Sequence, residues 1–65
     1  MELIDTPNPN AKKVEVAIND DKIIKNLKNI KGVSSVFLGP GFITITKHEN
    51  TEWELITQDI TNIFD

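Results

Sequence analysis

The chain has 65 residues and a net charge of −3, so we expect residues 1–65 to form one small domain with no basic face for nucleic acid. It contains no cysteine, which excludes disulfides, thiolate nucleophiles and Cys-based zinc or iron–sulfur sites. No apolar segment approaches the ~20 residues of a membrane span, and the N-terminus lacks signal-peptide features, so we expect a cytoplasmic protein without membrane contact.

The first part of the chain predicts two strands around a turn. Leu3 and Ile4 lie in a short extended segment that ends at Thr6–Asn10. The two prolines of Thr6–Asn10 exclude a helix or a central strand there, because they fix φ and remove backbone donors. Lys13–Ile18 alternates in polarity, which predicts a half-buried strand. Its inward set is Val14, Val16 and Ile18, and its outward set is Lys13, Glu15 and Ala17.

A helix is predicted next. Asn19–Asp21 supplies N-cap candidates, and apolar residues then recur at the spacing of one helical face. Those residues are Ile23, Ile24, Leu27 and Ile30. Gly32 is a candidate for the C′ position that ends the helix.

The second half predicts a hairpin and a final helix. Val33–Leu38 and Phe42–Lys47 are rich in β-branched residues and flank Gly39–Gly41, where Pro followed by Gly is typical of a type II turn. Ile43 and Ile45 would face one side, and Phe42, Thr44 and Thr46 the other. Thr51 and Glu54 resemble a capping box for a helix from about Glu52 to the C-terminus.

The element order is therefore β–β–α–β–β–α. This order predicts an α+β fold, a two-layer sandwich in which a four-stranded, largely antiparallel sheet carries both helices on one face. The order of the strands within the sheet stays open.

Several segments together resemble the N-terminal domain of Nfu/NifU-like proteins. They are Thr6–Ala11 with Lys13, Ile30–Phe37, Gly39–Lys47, and Trp53 with Ile56 and Ile60. The segment between Ile18 and the first helix is shorter than is usual in that family. Members often carry a further domain with a Cys-x-x-Cys motif that binds a cluster, and this chain has no such motif.

The resemblance implies the fold predicted above and a non-catalytic role beside iron–sulfur cluster assembly or delivery. Partners would be assembly or client proteins, and the domain would not itself be a cluster ligand. The alternative is a generic adaptor, or a fragment of a larger protein, with no iron–sulfur role.

The candidate interaction residues carried over from the family motif are Thr6, Pro7, Asn8, Pro9, Asn10, Lys13 and Phe42. Two interpretations of the Thr6–Asn10 segment stay open: a rigid, exposed recognition site, or a turn whose polar side chains satisfy nearby backbone groups. Two interpretations of Lys13 also stay open: it contacts an anion, or it is a solvated lysine on an edge strand.

Phe37, Phe42 and Trp53 could form an exposed patch for a partner, but a small domain needs its aromatic residues in the core. Phe42 is the expected exception, because it should point away from the helices with Thr44 and Thr46. We hypothesise that this uncovered face of the sheet is the binding surface.

Catalysis has no visible carrier in the sequence. Ser34 and Ser35 lack a matching His/Asp set, and His48 is the single histidine, without further metal ligands at a suitable spacing. We therefore expect no enzyme activity, no metal and no cofactor, and a monomeric protein.

Overall fold

The computed structural model describes residues 2–16 and 20–64. Its elements follow the predicted order. They are β1 (Ile4–Asp5), β2 (Ala11–Val14), α1 (Asp21–Lys28), β3 (Val33–Gly39), β4 (Phe42–Lys47) and α2 (Trp53–Phe64). The predicted α+β sandwich is confirmed. Neither helix in the described ranges is long and apolar enough to cross a membrane.

The strand order, which the sequence left open, is β1-β2-β4-β3. Each neighbouring pair is antiparallel. Because β2 and β3 both run antiparallel to β4, they run parallel to each other, and α1 forms the crossover between them. The β3–β4 pair is the predicted hairpin, and Gly41 has a φ of +77°, as the second central position of a type II turn requires.

One apolar cluster lies between the sheet and the two helices. Its buried members are Val14, Leu27, Val33, Ile43, Ile45, Ile56 and Ile60. The predicted alternation of β4 is confirmed, since Ile43 and Ile45 are fully buried whereas Phe42, Thr44 and Thr46 are not. Fully burying one such side chain stabilises the fold by about 1.5–3 kcal/mol, so this layer holds the helices on one face.

Strand β2 is shorter than predicted and lies earlier in the chain: it begins at Ala11 rather than Lys13 and ends at Val14 rather than Ile18. The reason lies in its partner. Val14 pairs with Ile43, and β4 begins only one residue earlier, so a longer β2 would soon run past the end of its neighbour. The chain turns there, with the Val16 N–H donating to the Val14 carbonyl oxygen at 3.1 Å. The predictions for Ala17, Ile18 and Asn19 fall outside the described residues.

The helix ends differ from expectation in two places. Asp20, one of the three N-cap candidates, is the N-cap of α1. Helix α1 ends at Lys28 with Asn29 as its C-cap, so the prediction of Gly32 as its C′ residue is wrong. Gly32 instead has a φ of +106° in the connection to β3. Helix α2 begins at Trp53, one residue too late for Thr51 to be its N-cap.

Candidate functional site

The face of the sheet opposite the helices, called here the open face, is built by cross-strand pairing. Ile4 pairs with Lys13, Lys13 with Thr44, and Thr44 with Phe37. Directly opposite residues point to the same side of a sheet, so these four side chains form one row across all four strands. Because Thr44 alternates with the buried residues of β4, the row lies on the side away from the helices. The open face therefore joins aliphatic, cationic, hydroxyl and aromatic groups.

Two aromatic residues meet at one end of the open face. The ring centroids of Phe37 and Phe42 lie 6.3 Å apart with an interplanar angle of 42°. Phe42 is half-buried because its ring lies over the backbone of Gly39, the residue directly opposite it. Phe37 is 62% exposed, so it is the more accessible of the pair, whereas the sequence pattern predicts Phe42 as the exposed aromatic residue.

The exposure of Phe37 could have been found from the turn. A two-residue turn at Pro40 and Gly41 places Gly39 opposite Phe42 on the same face. Residues two apart on a strand share a face, so Phe37 must point to the same side as Gly39. The alternation of β4 places Phe42 on the open face, and the same alternation continued across the turn into β3 places Phe37 there too.

Lys13 lies on the open face, as predicted, but not on an edge strand. Strand β2 has β1 on one side and β4 on the other. The short β1 pairs with the outer side of β2, which would otherwise be an edge strand. The Lys13 side chain is half-buried between Ile4 and Thr44, so its role as edge protection is wrong, and a contact with a partner's anion stays a prediction.

The Thr6–Asn10 loop uses most of its polar side chains internally. The Thr6 Oγ1 lies 2.8 Å from the Ala11 carbonyl oxygen and 2.9 Å from that of Asn8, and its one hydrogen can serve either; it also accepts from the Asn8 N–H at 3.2 Å. The Asn10 N–H donates to the Asn8 Oδ1 at 2.9 Å. These bonds support the structural interpretation for Thr6 and Asn8.

The same loop is tied to the rest of the described fold by longer-range hydrogen bonds. The Trp53 Nε1–H donates to the Pro9 carbonyl oxygen at 3.1 Å. The Lys47 Nζ donates to the Asn10 Oδ1 at 3.1 Å, and the Lys47 backbone N–H donates to the Asn10 carbonyl oxygen at 2.8 Å. Pro7, Asn8 and Pro9 remain exposed, so these three residues form the part of the motif that a partner could contact.

The predicted site residues do not form one cluster. Asn10 lies beside Lys47, at the end of β4, whereas Phe42 is its first residue. Five residues of antiparallel strand span about 17 Å, so the loop and the aromatic pair lie at opposite ends of the sheet. Lys13 lies between them, near the middle of β4.

The described residues form concavities that open onto the surface. The smaller, of about 370 Å³, lies beneath the loop and is lined by Asp5, Thr6, Pro7, Asn8, Pro9, Ala11, Lys12 and Trp53. The larger, of about 570 Å³, adjoins α2 and is lined by Lys31, Gly32, His48, Asn50, Thr51, Leu55, Ile56 and Asp59. In the part of the chain that the structure describes, no three His, Cys, Asp or Glu residues gather as metal ligands would.

Sequence comparison places the chain beside longer proteins. It is 38% identical over 73 aligned positions to the human protein named NFU1 iron-sulfur cluster scaffold homolog, mitochondrial, covering 86% of this chain and 29% of that protein. A protein of the same name from Drosophila grimshawi is also 38% identical, with 86% and 24% covered. The chain therefore spans less than a third of these relatives. Because 73 positions exceed the 65 residues of the chain, the alignment contains residues that this chain lacks.

Two solved structures share the fold. The crystal structure of protein SAV1430 from Staphylococcus aureus superposes with a TM-score of 0.87 over 100% of this chain and 96% of that chain, at 21% identity. The solution structure of SeR13 from Staphylococcus epidermidis gives 0.68 over 98% and 92%, at 28% identity. The family model for the N-terminal part of the scaffold protein Nfu/NifU matches residues 15–65, beginning after the Thr6–Asn10 loop. The chain belongs to the Nfu/NifU N-terminal family.

Proposed function

We propose that this domain is a non-catalytic interaction domain that takes part in iron–sulfur cluster assembly or delivery without ligating the cluster. The observation that carries the proposal is the aromatic pair on the open face, where Phe37 is 62% exposed beside Phe42. Aromatic side chains dominate the energetics of many protein interfaces. Both helices lie on the other face, so this pair stays accessible to a partner.

Family membership supports the iron–sulfur part of the proposal. The relatives are named as iron–sulfur cluster scaffolds, and this chain corresponds to less than a third of their length. Its 65 residues contain no cysteine, and cysteine thiolates are the usual ligands of such clusters. The contribution of this domain is therefore contact with another protein, while the cluster is held elsewhere.

The partners in this proposal are assembly proteins or clients that receive clusters. The net charge of −3 disfavours nucleic acid and anionic membrane surfaces, which attract basic proteins. The domain acts as a monomer in the cytoplasm. The open face supplies Phe37 and Lys13, and the exposed part of the loop, Pro7–Pro9, supplies a second contact at the far end of the sheet.

The test is a titration of the isotopically labelled domain with purified cluster-assembly proteins and with apo client proteins. We expect amide shifts at Phe37, Phe42, Lys13 and Thr44, and their loss in Phe37→Ser. The matched control is Leu55→Ser, which removes another exposed apolar side chain, 73% exposed on α2, and should leave binding unchanged. Shifts confined to the helices would contradict the open face. Absence of binding to every assembly and client protein would favour a generic adaptor with no iron–sulfur role.

A further inference from the structure

Strand β3 forms one edge of the sheet and is poorly protected. It pairs with β4 on one side, and no described strand lies on its other side. Its seven residues, Val33–Gly39, include no charged residue and no proline. Charges, prolines and short length are the usual protection of edge strands. A register shift interrupts only the Val33–Ser35 end, so Ser35–Gly39 is a regular, uncharged edge.

The backbone groups that this edge offers follow from the hairpin register. Gly39 pairs with Phe42 across the two-residue turn, which makes them a hydrogen-bonded pair. Bonded and non-bonded pairs alternate along an antiparallel ladder. Phe37 therefore bonds to β4, whereas the N–H and C=O groups of Val36 and Leu38 point outward. These groups are placed to bond to one more strand.

Exposed apolar side chains coincide with those backbone groups. Phe37 is 62% exposed and its neighbour Leu38 is 40% exposed. Being adjacent on a strand, they point to opposite faces, Phe37 to the open face and Leu38 to the side of the helices. An added strand would cover both, because its own side chains alternate in the same way.

The charge of the helix that packs on β3 favours one kind of occupant for this edge. Helix α1 packs on β3 and exposes three lysines, Lys22, Lys25 and Lys28, against one acid, Asp21. The ion pair found among the described residues joins Lys12 and Asp5, so it neutralises none of these lysines. Two copies of the chain joined through β3 would bring two lysine-bearing helices side by side, which is repulsive. An extended segment with acidic residues is attracted instead.

We infer that the β3 edge binds an extended segment of a partner protein as a fifth strand, with alternating apolar side chains along Phe37 and Leu38 and acidic residues beside α1. This inference rests on the proposed function for the identity of the partner, and it adds how the partner is recognised. The backbone bonds give affinity, and the lysines select an acidic sequence over a basic one.

The probe is the synthetic peptide acetyl-Glu-Asp-Val-Thr-Val-Thr-Val-Asp-Glu-amide, titrated into the labelled domain. We expect shifts at Ser35–Gly39 and slower hydrogen exchange of the Val36 and Leu38 amides. A peptide with Lys in place of each acid should bind about three- to tenfold more weakly, as expected for a few surface charge pairs. A peptide with Pro replacing the central Val should not bind, because it cannot complete the ladder.

Two variants of the domain sharpen the test. Leu38→Pro removes an outward N–H that β4 does not use, and it should abolish binding while circular dichroism stays native. Lys25→Glu combined with Lys28→Glu changes only exposed residues and should reverse the preference between acidic and basic peptides. This second variant keeps the test decisive if the proline variant fails to fold.

The inference is overturned if the acidic peptide binds no better than its proline derivative, or shifts only helical residues. It is also overturned if sedimentation shows a dimer whose β3 amides are protected, since the occupant is then a second copy. Failure of the peptide while assembly proteins still shift the open face would leave the proposed function standing. Peptide binding without any response to assembly proteins would reject the iron–sulfur role and support the inference that the β3 edge binds an extended segment.

Discussion

The indole N–H of Trp53 donates to the carbonyl oxygen of Pro9 at 3.1 Å, across a separation of 44 residues. This bond joins the first residue of α2 to the loop between β1 and β2. The Lys12 Nζ lies 5.4 Å from the centroid of the same ring and 3.3 Å from the Asp5 Oδ1. Trp53 thereby attaches the short N-terminal hairpin to α2, in addition to the packing of Val14 in the core. This makes Trp53 a structural residue rather than part of the open face.

Replacing Trp53 with Phe should destabilise the domain moderately. Phe keeps an aromatic ring but has no N–H, and the loss of one hydrogen bond typically costs about 0.5–1.5 kcal/mol. The measurement is urea denaturation followed by circular dichroism, because the variant lacks the tryptophan fluorophore. Leu55→Ala, at a side chain 73% exposed, is the control and should change stability by less than about 0.5 kcal/mol. Equal stability of Trp53→Phe and wild type would show that the bond to Pro9 contributes nothing.

Thr6→Val should destabilise the loop, and Thr6→Ser should not. Valine has the shape of threonine but lacks the Oγ1 that contacts the Ala11 and Asn8 carbonyl oxygens. We expect a loss of about 1–3 kcal/mol in the free energy of unfolding for Val, as for an unpaired group in a partly buried site. Serine restores the hydroxyl and most of the stability. If Val is tolerated without a change in melting temperature, the structural interpretation fails and the recognition interpretation gains support.

Local patterns in the sequence predicted the fold well because they depend on short-range physics. The alternation of Ile43 and Ile45 with Thr44 fixed the buried face of β4, and Pro40–Gly41 fixed the turn. Strand order could not be obtained this way. A local pattern does not say which strands lie side by side. The order β1-β2-β4-β3 depends on how all the strands and helices pack around the core.

The candidate site was predicted less completely, because parts of it depend on contacts between residues that are far apart in the sequence. The alternation of polarity predicts the face of Lys13 correctly, but its position inside the sheet depends on pairing with both β1 and β4. The pairing of Lys13 with Thr44 joins strands that lie far apart in the sequence. Thr51 matched a capping box, yet its methyl group packs against Gly32, and α2 begins after Glu52. Tertiary packing overrides a local capping preference where the two compete.

Gly32→Ala should be much more damaging than Gly41→Ala. Both glycines have positive φ, +106° and +77°, and placing Ala in such a conformation costs about 1–3 kcal/mol. At Gly32 a Cβ would also come within 2.8 Å of the Thr51 Cγ2 and 3.0 Å of the Ile56 Cγ2, whereas at Gly41 it meets nothing within 4 Å. Thermal unfolding of the two variants therefore separates backbone strain, common to both, from packing. Similar melting temperatures would contradict the close contact at Gly32.

Asp20 caps the N-terminus of α1. The Asp20 side chain accepts a hydrogen bond of 2.9 Å from the Lys22 N–H, and α1 has only eight residues, too few to be stable without a cap and tertiary packing. Asp20→Ala should therefore cost about 0.5–2 kcal/mol, measured by urea denaturation. Asp20→Asn keeps the acceptor and loses the charge, so it should recover most of that loss. If Asn is as destabilising as Ala, attraction between the carboxylate and the helix dipole outweighs the hydrogen bond, and the stability of the Asp20 protein should then fall when salt is added, because salt screens the dipole interaction.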